Sequence, residues 1–393
     1  MGKVTYMWKE FFGAVLFYHA ILFRFGEDFK FIQYGCVLCL LLCVIVSGDF
    51  FKPMNKKTSF LVSLFALAVL YTGVRGEYLY GRYSWHTGFL SSALLATQVV
   101  SVFGYIERIV YRKIQIKFLK YILCILGFYL LITDFYILYN IGNIVDDSSR
   151  IFVIGSKFIV SYYHLLFVAL YGVVYSPHLL LTILQLIYCI LISKIIYCST
   201  GILGALAFVG FVSFKPFLKR ILYNHFIFWL SICVCALFAL LMESFRESDW
   251  FQNFLLALGE SPSMSGRTLI YAQIYDSLLD SPWFGYGNGN GTTLSIYITD
   301  IGDAQNGILA DVLDWGILGT MLLFYLAAQI IKSANFRERG FNLLCFLYLY
   351  VIMGMVEITL GVKFIAVLCL FFVAANVPHN ANHLKYYHLK SKR

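Results

Sequence analysis

Long apolar runs separated by short polar punctuation cover nearly the whole chain. An α-helix advances about 1.5 Å per residue, so a run of about 17 to 25 apolar residues is what a bilayer crossing requires. Such runs fall at 9–25, 31–48, 57–74, 87–106, 117–139, 157–175, 178–196, 199–214, 222–242, 304–331, 340–357 and 358–376. The pattern predicts an all-α polytopic membrane protein of about twelve transmembrane helices. One interval breaks the rhythm: residues 243–303 form a polar segment of roughly sixty residues between two apolar runs. The organisation expected is nine helices over 1–242, one large loop over 243–303, three more helices over 304–376, and a basic tail over 377–393.

The basic residues give these helices a direction, because Lys and Arg are retained on the cytoplasmic side during insertion. An inside N-terminus puts 20 of the 30 Lys and Arg in the cytoplasm, in clusters such as Lys56-Lys57, Arg112-Lys113, Lys219-Arg220 and the tail Lys390 to Arg393. The other ten, among them Arg75, Arg82, Arg150 and Arg267, scatter one or two per loop on the opposite side. Both termini are then cytoplasmic and residues 243–303 form an outer loop. That loop carries eight carboxylates against only Arg246 and Arg267, so an arginine kept there is expected to have a role more than one in a basic patch.

Composition agrees with the class: 60% hydrophobic residues, 13% charged and a mean hydropathy of +0.77 are far from a soluble domain. The net charge of +9 is spread over juxtamembrane clusters. Contact with anionic membrane lipids is therefore expected, and no nucleic acid is expected as a partner. The first apolar run carries His19 and Arg24 and no small-residue cleavage pattern, so it should remain as the first span. The ten cysteines sit almost wholly in apolar runs, where a thiolate is costly, and read as small packing residues. No metal motif and no cofactor fingerprint is apparent.

Within the outer loop, Ile270, Ile274 and Leu278 recur every four residues beside Leu269, Ala272 and Leu279. An amphipathic helix over 267–280 follows, capped by Ser265, ended by Pro282 and lying along the outer membrane surface with Trp283 and Phe284 at the interface. Arg267 falls in its first turn, where a cation meets the positive end of the helix dipole. A phosphate bound by the guanidinium and free N–H groups would resolve the conflict, as would a salt bridge to Glu260 or Asp276. Gly285, Gly287, Gly289 and Gly291 neither follow a strand nor open a helix, so they make no dinucleotide fingerprint. They read either as a flexible hinge or as a place where backbone approaches a sugar or pyrophosphate closely. Gly307, Asp311 and Asp314 share one helical face, which must point into the bundle or a wet cavity because a mid-membrane carboxylate is costly.

Ser265-Gly266-Arg267, then Pro282-x-x-Gly285-x-Gly287, then Asn306 and an acidic residue, Asp314, two before Gly316-Ile317-Leu318-Gly319, occur in one order over roughly residues 262–320. In that order the chain resembles the O-antigen ligase and O-antigen polymerase (Wzy-like) superfamily. Ligases of that group carry a His immediately before the Asn, where this chain has Gln305, and many members have an Arg after Ser where this chain has Ser199-Thr200-Gly201. Both departures favour the polymerase branch.

The resemblance implies a glycosyltransferase at the periplasmic face of the bacterial inner membrane, taking an undecaprenyl-pyrophosphate-linked oligosaccharide as substrate. It leaves room for a chain-length-regulating polysaccharide co-polymerase beside it. Pyrophosphate on an anomeric carbon is already a good leaving group, so the transfer is expected to need no metal. Arg267 is the first candidate for a cationic clamp, followed by Arg75, Arg82 and Arg150. Asp303, with His86 as a rival, is the candidate base. Gln305 and Asn306 could orient the acceptor hydroxyl, and Gly285 and Gly287 could line the substrate. Transfer to lipid A core by a ligase and flipping of a lipid-linked oligosaccharide are the alternatives. The lack of an evident inverted repeat and the long acidic loop weigh against a flippase.

Overall fold

The computed structural model describes residues 2–23, 29–46, 56–80, 88–144, 151–246, 248–257, 274, 277–291, 294, 306–334, 338–357 and 359–378. Helices dominate: α1 (Gly2–Phe17, continued by a π turn Tyr18–Leu22), α2 (Lys30–Val46), α3 (Lys56–Tyr80), α4 (Gly88–Tyr111), α5 (Gln115–Tyr139), α6 (Lys157–Tyr175), α7 (Leu179–Ile195), α8 (Ser199–Ser213), α9 (Lys215–Leu222), α10 (His225–Arg246), α11 (Asp249–Ala257), α12 (Gly307–Ser333), α13 (Phe341–Met353) and α14 (Val362–Ala375). A two-residue antiparallel hairpin, Ile151–Phe152 with Gly155–Ser156, precedes α6. The chain is thus an all-α membrane protein. Five helices, α3 to α6 and α12, are long and apolar enough to cross a bilayer, or six when the bent pair α8 and α9 is counted as one span.

The two shortest apolar helices explain why length alone misjudges this chain. In α13 every residue but Asn342 and Ile352 is buried, and in α14 only Val362 and Lys363 escape. A helix apolar on all sides is one packed in protein. Phe324 of α12 meets Phe228 of α10 and Phe364 of α14 edge-on, while those two stack on each other, with ring centroids 6.0 to 6.5 Å apart. The outer helices bury one face and leave large apolar side chains such as Phe128, Leu180, Leu230 and Val46 exposed, a belt suited to lipid.

Basic residues gather at one end of the bundle. There Lys117 of α5 pairs with Glu10 of α1, Arg108 of α4 donates to the Cys43 carbonyl at 2.7 Å, Gln115 donates to the Asn376 carbonyl at 3.0 Å, and Lys57 lies over Tyr325. At the same end α8 turns by 100° into the amphipathic α9, which carries Lys215, Lys219 and Arg220. The cysteines only partly follow expectation: Cys189, Cys198, Cys235, Cys345 and Cys369 are buried, whereas Cys39, Cys43, Cys124 and Cys233 face outward. A thiol is apolar enough to face lipid as readily as protein.

Phe364→Ala should lower stability by about 3–5 kcal/mol, the cost of emptying an aromatic site in a close-packed core. The loss should appear as a lower thermal midpoint in detergent, while truncation of the outward Phe128 should shift it little.

Candidate functional site

The feature that organises the end opposite the basic clusters is a break in α12. At Gly316 the backbone leaves helical geometry (φ 68°, ψ 177°), which frees two carbonyls and two N–H groups in a buried place. Residues 282–287 satisfy all four. Tyr286 N–H donates to the Leu313 carbonyl at 2.7 Å and Gly287 N–H to the Asp314 carbonyl at 2.9 Å, while the Pro282 and Trp283 carbonyls accept from Ile317 and Leu318 at 2.8 and 3.2 Å. A buried backbone group left unpaired costs about 1–3 kcal/mol, so loop and break are each the condition for the other.

Glycine is required at both faces of this splice. Gly285 has φ +63°, and a Cβ there would lie 2.5 Å from Gly316 N and 2.6 Å from the Leu313 carbonyl oxygen. A Cβ on Gly316 would strike the Trp283 carbonyl and Phe284 N, and one on Gly76 of α3 would strike the Tyr286 carbonyl. Close backbone approach, expected at Gly285 and Gly287 toward a sugar or pyrophosphate, is made here to the protein's own helices. Hydrogen bonds to the broken ends of α12 anchor the loop.

Arg75 of α3 holds the loop from its other edge. Its guanidinium donates to Ser281 Oγ at 2.7 Å and reaches the Gly285 carbonyl at 3.4 Å, with Phe284 stacked 5.4 Å away. Phe284 in turn meets Tyr71 edge-on, so it is tucked in, while Trp283 beside it is exposed. Asn288 ties the next turn to the start of α4 through Ser91 Oγ at 2.7 Å and accepts from Trp315 Nε1 at 3.1 Å. Nine residues of α12 precede the break, so the loop reaches about 13 Å along the bundle from the first turn of that helix.

The shared face of Gly307, Asp311 and Asp314 does point inward. Asp314 Oδ1 accepts the Gly291 N–H at 2.8 Å, a bond to the loop rather than the helix-to-helix bond expected for it. Gly307 abuts Leu360 and its N–H donates to the Gly354 carbonyl at 2.8 Å. Asn306 departs from expectation. It is fully buried, its Oδ1 accepts from Ile308 and Leu309 N–H at 2.9 and 3.0 Å, and its Nδ2 donates to the Met355 carbonyl at 3.1 Å. Both ends of the amide are engaged in capping α12 and clasping the link after α13, so Asn306 serves the fold.

Of the other expected site residues, Arg267, Asp303, Gln305, Arg82, His86 and Arg150 lie outside the described residues, as does most of the helix expected over 267–280. The last turn of that helix, 277–280, is helical and ends before Pro282. The structure therefore brings together Arg75, Gly285 and Gly287.

A second polar cluster escaped the sequence. His164 of α6 places Nε2 3.0 Å from Asp134 Oδ1 of α5, and Tyr188 of α7 donates to Asp134 Oδ2 at 2.7 Å. His164 Nδ1 lies 2.8 Å from the Val160 carbonyl. A carbonyl only accepts, so Nδ1 carries a proton, and the carboxylate facing Nε2 requires a second proton between them. Either placement of that proton leaves the pair without net charge, which suits a cluster between membrane helices. The three line a cavity of about 360 Å³ with Phe167 and Leu184, into which Gln185 also faces. Single His, Asp and Tyr residues on three separate apolar runs give no spacing signal, so only packing reveals them. Among the described residues no group of three or more His, Cys, Asp or Glu could hold a metal ion.

Fold and site together define a helical membrane protein with a broken span closed by a glycine-rich loop. No family model, no curated protein and no solved structure matches the chain.

Gly285→Ala should destabilise far more than Gly289→Ala. Both have positive φ, which costs an L-residue about 1–2 kcal/mol, but a Cβ at Gly289 meets only Ser91 Oγ at 3.6 Å. Thermal midpoints of the two variants decide it. Replacing Asp134 alone by Leu should cost about 1–3 kcal/mol by leaving His164 Nε2 without its partner, and a double Asp134→Leu, His164→Leu variant should be less impaired than the sum of the singles in the same assay.

Proposed function

We propose that the protein is a surface-polysaccharide polymerase, a metal-independent glycosyltransferase of about twelve spans with both termini cytoplasmic. It transfers a growing glycan from undecaprenyl pyrophosphate to the next lipid-linked repeat unit at the outer face of the bacterial inner membrane. One observation supports this reading above the rest: the fixed re-entrant loop, pinned by Arg75, lies at the bundle end opposite the basic clusters. A transfer to an activated sugar needs few chemical groups and much positioning. A hydrogen-bonded floor within the 243–303 segment supplies that.

In the reaction, the acceptor hydroxyl oxygen bonds to the anomeric carbon as the bond from that carbon to the pyrophosphate oxygen breaks. Asp303, with His86 as the rival, takes the hydroxyl proton, and the lipid diphosphate leaves carrying the bonding electron pair. Arg267 meets the developing negative charge, aided by Arg82 and Arg150. Arg75 serves as a positioning residue, because its guanidinium is bonded to the loop. Asn306 holds the start of α12, so that of the Gln305-Asn306 pair only Gln305 is left to orient the acceptor.

The purified chain in lipid nanodiscs, given a matched lipid-linked repeat unit and a chelator, should produce dimers and longer oligomers. Arg267→Ala should reduce the rate about 10²–10³-fold, as loss of one charge-stabilising donor does elsewhere. Transfer only to a lipid A core acceptor would identify a ligase, and absence of any product with matched substrate would reject glycosyl transfer.

A further inference from the structure

The cavity of about 360 Å³ between α5, α6 and α7 has more than twice the volume, about 150 Å³, that holds benzene in a protein interior. Of its lining, Leu131 and Leu184 are 55% and 53% exposed and belong to the apolar outer surface of the bundle, so its mouth faces lipid. Its depth follows from the helices that build it. α5 starts at the basic end and α6 returns there, where Lys120 lies over the Tyr175 ring. Asp134 is five residues short of the far end of α5 at Tyr139, and His164 is seven residues into α6. The polar cluster therefore lies about 8–10 Å inside the far ends of both helices. Apolar walls from Leu130, Phe167 and Val168 around a polar floor fit a molecule with a long apolar body and one small polar group.

The floor says which polar group. No Lys or Arg among the described residues lines the cavity, and a carboxylate beside it disfavours an anionic headgroup. A cation gains little, because the Asp134 and His164 pair already holds the proton that cancels its charge and Tyr188 donates to the same carboxylate. What is left unmet is neutral. The Gln185 amide oxygen is buried without a hydrogen-bond partner among the described residues, a costly condition between membrane helices. Gln185 stands one turn from Tyr188 on the same face of α7. A turn of the amide about its last torsion presents either its oxygen or its NH2 to the cavity, and a hydroxyl, at once donor and acceptor, answers both. Asp134 and Tyr188 each keep acceptor capacity for the same hydroxyl proton.

We propose that this cavity binds a lipid alcohol, an uncharged membrane lipid with a free hydroxyl on a long apolar chain. The hydroxyl bonds to Gln185 beside the Asp134 cluster, and the chain leaves between Leu131 and Leu184. The site does not depend on the polymerase reading, since none of the residues assigned to transfer lines it.

The full-length protein in phosphatidylcholine nanodiscs, photolabelled with a long-chain alcohol carrying a diazirine near its hydroxyl, tests it. Mass spectrometry of the digested protein should place the label in α5, α6 and α7. Unlabelled dodecanol should compete, and its methyl ether, which has no proton to donate, should need about fivefold more, the change expected from losing one hydrogen bond. Gln185→Leu should weaken labelling by the same factor of about five. Leu184→Trp, which narrows the mouth without touching the floor, should also weaken it, with thermal midpoints confirming that both variants are folded. Farnesol competing at lower concentration than dioleoylglycerol would support an isoprenoid alcohol as the occupant, and the reverse order an acylglycerol. Equal competition by dodecanol and its ether would overturn the proposal by making the cavity an ordinary apolar groove. So would stronger competition by dodecylamine, which would make it a cation site, and so would unchanged labelling of Gln185→Leu.

Discussion

A chain buried between membrane helices has no water to receive an unpaired N–H or carbonyl, and the break at Gly316 exposes four such groups at once. Everything at that end of the molecule follows from their satisfaction. Residues 282–287 can bond to the broken ends of α12 only by bringing backbone to backbone, which demands glycine at 285 and 316 and at Gly76 on the facing helix. The Arg75 guanidinium, the Asn288 amide and the Asp314 carboxylate then hold the loop's other edges. The result is a non-helical floor as well bonded as a helix.

The opposite end is governed by charge. Lys117 with Glu10 ties α5 to α1, Arg108 with the Cys43 carbonyl ties α4 to α2, and Gln115 with the Asn376 carbonyl ties α5 to the end of α14. Lys215 and Arg339 line a cavity of about 760 Å³ where α8 bends into α9. Basic side chains near helix C-termini are favoured by the dipole, as for Arg108 in the last turn of α4.

Between these ends, α13 and α14 form a centre with hardly a polar side chain. The Asp134, His164 and Tyr188 cluster sits to one side of it among α5, α6 and α7, balanced so that its ionisable groups carry no net charge. Unpaired polar groups are costly in such surroundings, and here both oxygens of the Asp134 carboxylate are bonded.

Hydropathy in the sequence was enough for the helical membrane class, and a helix lies within each apolar run, because burial in lipid or protein imposes the same one-dimensional pattern. The inward direction of Asp311 and Asp314 was also legible, since two carboxylates on one helical face have few places to go. Tertiary structure decided what the glycines and amides do. Gly285 and Gly287 approach the backbone of α12 and α3 closely, and Asn306 caps a helix, because the break at Gly316 lies within an apolar run that reads as one continuous span. It also decided that α13 and α14 are interior, and that His164, Asp134 and Tyr188 meet. Contacts between residues 24 to 54 positions apart leave no period in the sequence, only a fit in space.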